Sequence, residues 1–178
     1  MGKPSYIGVL NAIANGERRG HELFKEWSAA TKDKELKKTL DMIAIREMEH
    51  SWAFEKRLCE LGFSLRKPAD DVARKAFEKQ LKLLKSDVGD AAKYASFGIT
   101  DRSVGGGKNG KKNKNKQSNK DKRKLPPRDR LLSILADTSV DPKTGELMGR
   151  FICEERDTGR QLRKAYKAMR RRKGRKAA

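Results

Sequence analysis

The chain has 178 residues, a formal net charge of +20, 35% hydrophobic residues and a mean hydropathy of −0.90. That length suits one domain, and with no apolar run longer than the four residues Met42-Ile43-Ala44-Ile45 the composition excludes a membrane span and a signal-peptide core. The two cysteines, Cys59 and Cys153, are too few for a zinc ribbon and read as unpaired thiols of a cytoplasmic protein.

In chain order, the first helix is predicted over roughly 5–30, with Tyr6, Leu10, Ile13, Glu17, Gly20, Phe24 and Trp27 on one stripe. Thr31-Lys32-Asp33 breaks the rhythm, and Asp33 is placed to cap a second helix over roughly 33–62. Its stripe is Leu36, Leu40, Ile43, Glu47, His50, Phe54 and Leu61, and Gly62 is its C-terminal cap. Trp27 and Trp52 are read as core fillers. Pro68 opens a third helix over roughly 69–97, with Ala73, Phe77, Leu81, Leu84, Val88 and Ala91 facing inward. Gly105-Gly106-Gly107 begins a stretch without large apolar residues, expected to be a disordered insertion. Leu131, Leu132, Ile134 and Leu135 fit a short helix within 128–137. Asp141-Pro142 then supplies a cap and a first-turn proline for a last helix over roughly 142–171, with Met148, Phe151, Glu155, Thr158, Leu162, Tyr166 and Met169 as its stripe. No alternating strand pattern stands out, so the class is all-α. The organisation is three bundle helices over 1–100, a basic linker over 101–126, a short helix and the last bundle helix over 127–170, and a basic tail over 171–178.

Three of these stripes are interrupted by ionisable residues. Glutamate is rarely buried without a partner, yet Glu17, Glu47, His50 and Glu155 all fall on core positions. Glu17 lies fifteen residues before the turn at position 32 and Glu47 fifteen after it, so an antiparallel hairpin with a rise of about 1.5 Å per residue sets them at one level. His50 is one turn from Glu47, and His21 one turn from Glu17. Carboxylates and imidazole gathered in a bundle interior suit iron or manganese. The competing interpretation is a buried polar cluster in which Arg18 or Arg46 pairs the acids.

Gly16-Glu17 in the first helix and Arg46-Glu47-Met48-Glu49-His50 in the second, with Leu61-Gly62 closing the hairpin, resemble the ferritin-like superfamily and within it the rubrerythrin-type di-iron carboxylate proteins. The likeness covers the first 62 residues well and residues 142–169 loosely. It implies an antiparallel four-helix bundle that handles iron, dioxygen or peroxide. By that resemblance Glu17 is a terminal ligand, Glu47 a bridging one, His50 a terminal nitrogen ligand and Glu155 the second bridging carboxylate. Thr158 stands where a second Glu-x-x-His would end, the third helix carries no glutamate on its stripe, and no rubredoxin-like cysteine module is present. His21 is a candidate to replace the missing imidazole, Glu154 an alternative to Glu155, and the site is mononuclear, an unusual dinuclear one, or decayed. A homodimer is a further expectation from the resemblance.

The charge is concentrated. Residues 108–124 hold nine Lys/Arg and one Asp, and residues 163–176 nine Lys/Arg and no acid, together +17 of the +20. These segments read either as a solvated linker and helix end or as non-specific nucleic-acid contacts, with Lys111, Lys112, Arg170, Arg171 and Arg172 as the candidates. Neither segment holds an aromatic residue able to stack on single-stranded bases, apart from Tyr166 on the core stripe. The rival function is therefore a non-catalytic helical module held on a polyanion.

Overall fold

A computed structural model describes residues 4–67, 71–104, 131–132, 135 and 138–177, with side chains as far as Arg172. The described residues are helical and contain no strand: α1 (Ile7–Ala30), α2 (Lys34–Glu60), α3 (Asp71–Lys85), α4 (Asp90–Ser96), α5 (Asp101–Val104) and α6 (Pro142–Ala177). No described helix is long and apolar enough to cross a membrane.

α1 and α2 form the expected hairpin. Asp33 Oδ1 accepts from the Glu35 and Leu36 amides at 3.1 and 3.2 Å, satisfying two of the amide donors that open α2. At its other end Gly62 has φ +82°. The Gly62 amide donates to the Cys59 carbonyl and the Phe63 amide to the Leu58 carbonyl, both at 2.9 Å. This is a Schellman ending, in which the left-handed residue is glycine because a Cβ would be strained there.

α6 lies along the α1–α2 groove and is pinned at both ends. At its start Asp141 accepts from the Thr144 amide at 3.0 Å and from the Thr144 hydroxyl at 2.7 Å. The same carboxylate accepts from Tyr6, the residue that opens α1, at 2.9 Å and from Arg57 of α2 at 2.7 Å. Burial alone would raise the Asp141 pKa, but the hydrogen bonds from Thr144, Arg57 and Tyr6 outweigh it and hold the carboxyl well below its ordinary value. Toward its far end Arg170 grips Asp101 at 3.0 and 2.7 Å, and Arg172 meets Asp33. These two anchors set the register in which the middle of α6 meets α1 and α2.

The core divides in two. One apolar cluster joins Leu23, Phe24 and Trp27 to Leu36, Leu40 and Ile43 and to Leu162, Tyr166 and Met169. The other joins Leu10, Ile13 and Ala14 to Phe54 and Leu58 and to Met148, Phe151 and Ile152. Between them, on all three helices, the buried positions are polar: Glu17 on α1, Glu47, His50 and Ser51 on α2, Thr158 on α6.

Three expectations need correction. The helix predicted over 69–97 is broken into α3 and α4. The Ser86 hydroxyl turns back to the Leu83 carbonyl, Gly89 is extended, and the buried Lys93 ammonium donates to the Leu84 carbonyl at 2.8 Å. The break lets α4 lie over the hairpin turn, where Asp90 accepts from Trp27 Nε1 and Thr31, each at 2.8 Å. There Phe97 stacks on Phe24 and Trp27 with ring centroids 5.1 and 5.6 Å apart. Val88, placed on the inward stripe, is consequently exposed. Trp52 is not a core filler, being 61% exposed on the outer face of α2, while Trp27 is fully buried. The arginine-rich end read as a tail continues α6 to Ala177. The Lys-rich insertion and most of the short helix lie outside the described residues; Leu131, Leu132 and Leu135, the described part of that helix, are helical.

Candidate metal centre

Glu17, His50 and Glu155 converge. Each offers a ligand atom, and these atoms all lie within 4.8 Å of one another. They come from α1, α2 and α6, at the level where the two apolar clusters part. His50 Nδ1 is 3.1 Å from Glu17 Oε2 and 3.8 Å from Glu155 Oε1. The other ring nitrogen, Nε2, is 2.6 Å from Glu154 Oε2. Glu154 is held in turn by Arg150, whose Nε donates to Oε1 at 2.9 Å. Both glutamates of the Glu154-Glu155 pair therefore reach His50. Glu155 faces the cluster, and Glu154 fixes the imidazole from behind.

Glu47 is not one of the three whose ligand atoms converge. Its carboxyl hydrogen-bonds Glu17, as the matched depths required, and its Oε2 fills the space over Gly20, where a Cβ would collide with it. Gly20 is thus the residue that lets a glutamate of α2 come against the backbone of α1. It was visible as a lone glycine on the α1 stripe, one turn beyond Glu17. Nearby, the Ser51 hydroxyl donates to the Ala14 carbonyl at 2.9 Å and closes the same helix–helix approach. His21 is turned away: its Nδ1–H donates to the Ala44 carbonyl at 2.7 Å. It does not supply the second imidazole.

The arginines do not neutralise these acids. Arg18 pairs with Glu55 at 2.6 Å. Arg46 Nη1 reaches across to α6, to the Glu154 carbonyl at 3.2 Å, Asp157 at 3.1 Å and the Thr158 hydroxyl at 3.0 Å. Among the described residues no lysine or arginine pairs with Glu17, Glu47 or Glu155. A guanidinium thus sits against the position where the second Glu-x-x-His would place its imidazole.

The titration behaviour follows from this crowding. Burial, and then the charges of Glu17 and Glu155, drive the Glu47 carboxyl far above its ordinary range, so it keeps its proton at neutral pH. Burial followed by the Glu17 charge raises Glu155 to about 7. Its side chain is 37% exposed in sum, but Oε1 itself is dry and has no hydrogen-bond partner. For His50, burial disfavours the imidazolium, yet the Glu17 and Glu154 carboxylates outweigh burial and raise its pKa. The cluster collects protons because burial and the mutual repulsion of its acids outweigh the nearby Arg46 charge. An unpartnered buried carboxylate oxygen beside an imidazole and a second carboxylate is the donor set a metal ion takes up.

The five residues considered for nucleic-acid contact divide. Lys111 and Lys112 lie outside the described residues. Arg170 and Arg172 are committed to Asp101 and Asp33. Arg171 is exposed on α6.

No protein-family model matches the chain, and neither a curated protein nor a solved structure does.

Proposed function

We propose that this chain is a helical metal-binding protein of the ferritin-like kind, which holds one iron or manganese ion between α1, α2 and α6. The observation that carries this reading is the convergence of Glu17, His50 and Glu155 with an unpartnered, buried Glu155 Oε1. Glu17 and Glu155 supply carboxylate oxygens, and His50 supplies Nδ1. Glu154 accepts the Nε2 proton and thereby keeps the Nδ1 lone pair aimed inward, the usual arrangement behind a metal-bound imidazole. Glu47, already hydrogen-bonded to Glu17, is a further carboxylate within the same layer. The Arg46 guanidinium on Thr158 puts positive charge where a second nitrogen ligand would stand, so the set suits a single ion rather than two.

Iron or manganese held there brings one-electron chemistry toward dioxygen or peroxide. The chain's own part is to exclude water with the apolar clusters on either side and to hold a proton on Glu47 beside the ligands.

Metal analysis of protein purified from iron- or manganese-supplemented cells tests the reading. The expected result is about one ion per chain, lost on Glu17→Gln, His50→Ala or Glu155→Gln, since each change removes an anionic or imidazole donor. Wild-type protein carrying no more metal than these variants would overturn it.

A further inference from the structure

Outside the Glu–His cluster the strongest surface feature is a row of positive charge. Arg160, Arg163, Lys164, Lys167 and Arg171 line a groove of roughly 530 Å³ between α6 and α5. At 3.6 residues per turn these five fall within about 100° of the helix circumference. They are exposed, and they point away from the buried Leu162, Tyr166 and Met169. The neighbouring cations are already used: Arg170 by Asp101, Arg172 by Asp33, and Arg160 in part by Asp157. Arg163, Lys164, Lys167 and Arg171 pair with no acid among the described residues. Arg163 and Lys167, and Lys167 and Arg171, are four residues apart, a spacing at which like charges repel. The fold thus holds four unneutralised cations in one line and ties down those beside them.

We infer that this groove is a docking track for the phosphodiester backbone of duplex nucleic acid. From Arg163 to Arg171 the helix advances about 12 Å at 1.5 Å per residue. One strand of a duplex carries a charge about every 3.4 Å along its axis, so the row is as long as three or four base-pair steps. Among the described residues, none of the large exposed apolar side chains (Ile45, Trp52, Val72, Val88, Leu132 and Leu135) lines this groove. The groove therefore offers neither a wedge for a lipid surface nor an aromatic platform for unpaired bases. In sequence, Val104, which lines the groove, is followed after three glycines by the segment with nine Lys/Arg over 108–124. Contacts of this kind position a backbone without reading sequence.

Anisotropy of a labelled duplex of about 20 base pairs, titrated with the full chain across a salt series, tests the track. Changing Arg163, Lys164, Lys167 and Arg171 together to Gln should weaken binding and flatten the plot of log affinity against log salt by about 3 to 4. A charge-matched variant with Lys25, Lys75, Lys79 and Lys82 changed to Gln should leave the slope near that of the wild type. The four groove side chains hold no ion pair in the fold and repel one another, so the melting temperature should not fall. If the fourfold variant nevertheless fails to fold, Lys167→Gln and Arg171→Gln should each lower the slope by about 1. An unchanged slope, or an equal loss in the charge-matched variant, overturns the assignment. So does tighter binding of phosphatidylserine vesicles than of duplex through the same four residues. His50→Ala leaves duplex binding intact, which separates this track from the metal reading.

Discussion

The crowded acids make a specific demand on pH. In chelator-treated protein Glu47 is buried, 6% exposed, and holds its proton in the fold well past the pH at which the unfolded chain releases it. Between these limits the folded state binds one more proton than the unfolded state, so stability falls as pH rises. One proton of difference is worth about 1.4 kcal/mol per pH unit, or at most about 4 kcal/mol between pH 5 and 8. Glu155 acts in the same direction up to about 7, with a smaller effect because its partly exposed side chain is screened. His50, whose pKa is raised, stabilises the fold below its ordinary value and loses that contribution as pH climbs through the folded one. Asp141 and Glu154, with lowered pKa values, have already made their contributions above the ordinary carboxylate range and do not offset the trend. Glu47→Gln replaces the protonated acid by a neutral group of the same shape. Urea unfolding at several pH values should therefore give wild-type stability that declines from pH 5 to 8, and a variant curve flatter by roughly 1 kcal/mol per unit. Parallel curves for the two proteins, or wild-type stability that rises over this range, would refute the placement of a protonated Glu47 in the core.

Two further outcomes follow from the same contacts. Gly20→Ala gains about 1 kcal/mol of helix propensity but forces Glu47 from its notch, an overpacking cost of about 1–3 kcal/mol. Denaturant melts should show net destabilisation in the wild-type background and stabilisation in a Glu47→Ala background. The same sign in both would place the Glu47 carboxyl elsewhere. Asp141→Ala removes the α6 cap and the acceptor for Arg57 and Tyr6, and should cost about 2–4 kcal/mol at neutral pH. The cost should shrink as pH falls below the ordinary aspartate range, because the unfolded chain there takes up a proton that the folded carboxylate, with its depressed pKa, does not. Thermal melts at pH 7 and pH 3 check this, and an equal loss at both would count against an ionic anchor.

Much of this protein is legible before any coordinates. Asp33, Gly62 and Asp141-Pro142 mark helix ends by local chemistry, since an amide donor or a left-handed residue is satisfied within a few positions of the signal. The interrupted stripes identify Glu17, Glu47, His50 and Glu155 as inward-facing, because a periodicity of 3.6 assigns each residue to a side of its helix. Equal distances from the hairpin turn suffice to bring Glu17 to Glu47. Periodicity carries no information about which inward groups meet across helices. That Glu155 rather than Glu47 joins Glu17 and His50, that Glu154 backs the imidazole, and that Arg46 stands at Thr158 all depend on the register of α6. Anchors more than eighty residues apart in the chain set that register, Asp141 against Arg57 and Arg172 against Asp33. The break between α3 and α4 is tertiary as well, driven by the aromatic stack on Phe24 and Trp27 and by Lys93 capping Leu84. Local rules place a side chain on a face; only the packed assembly decides what that face meets.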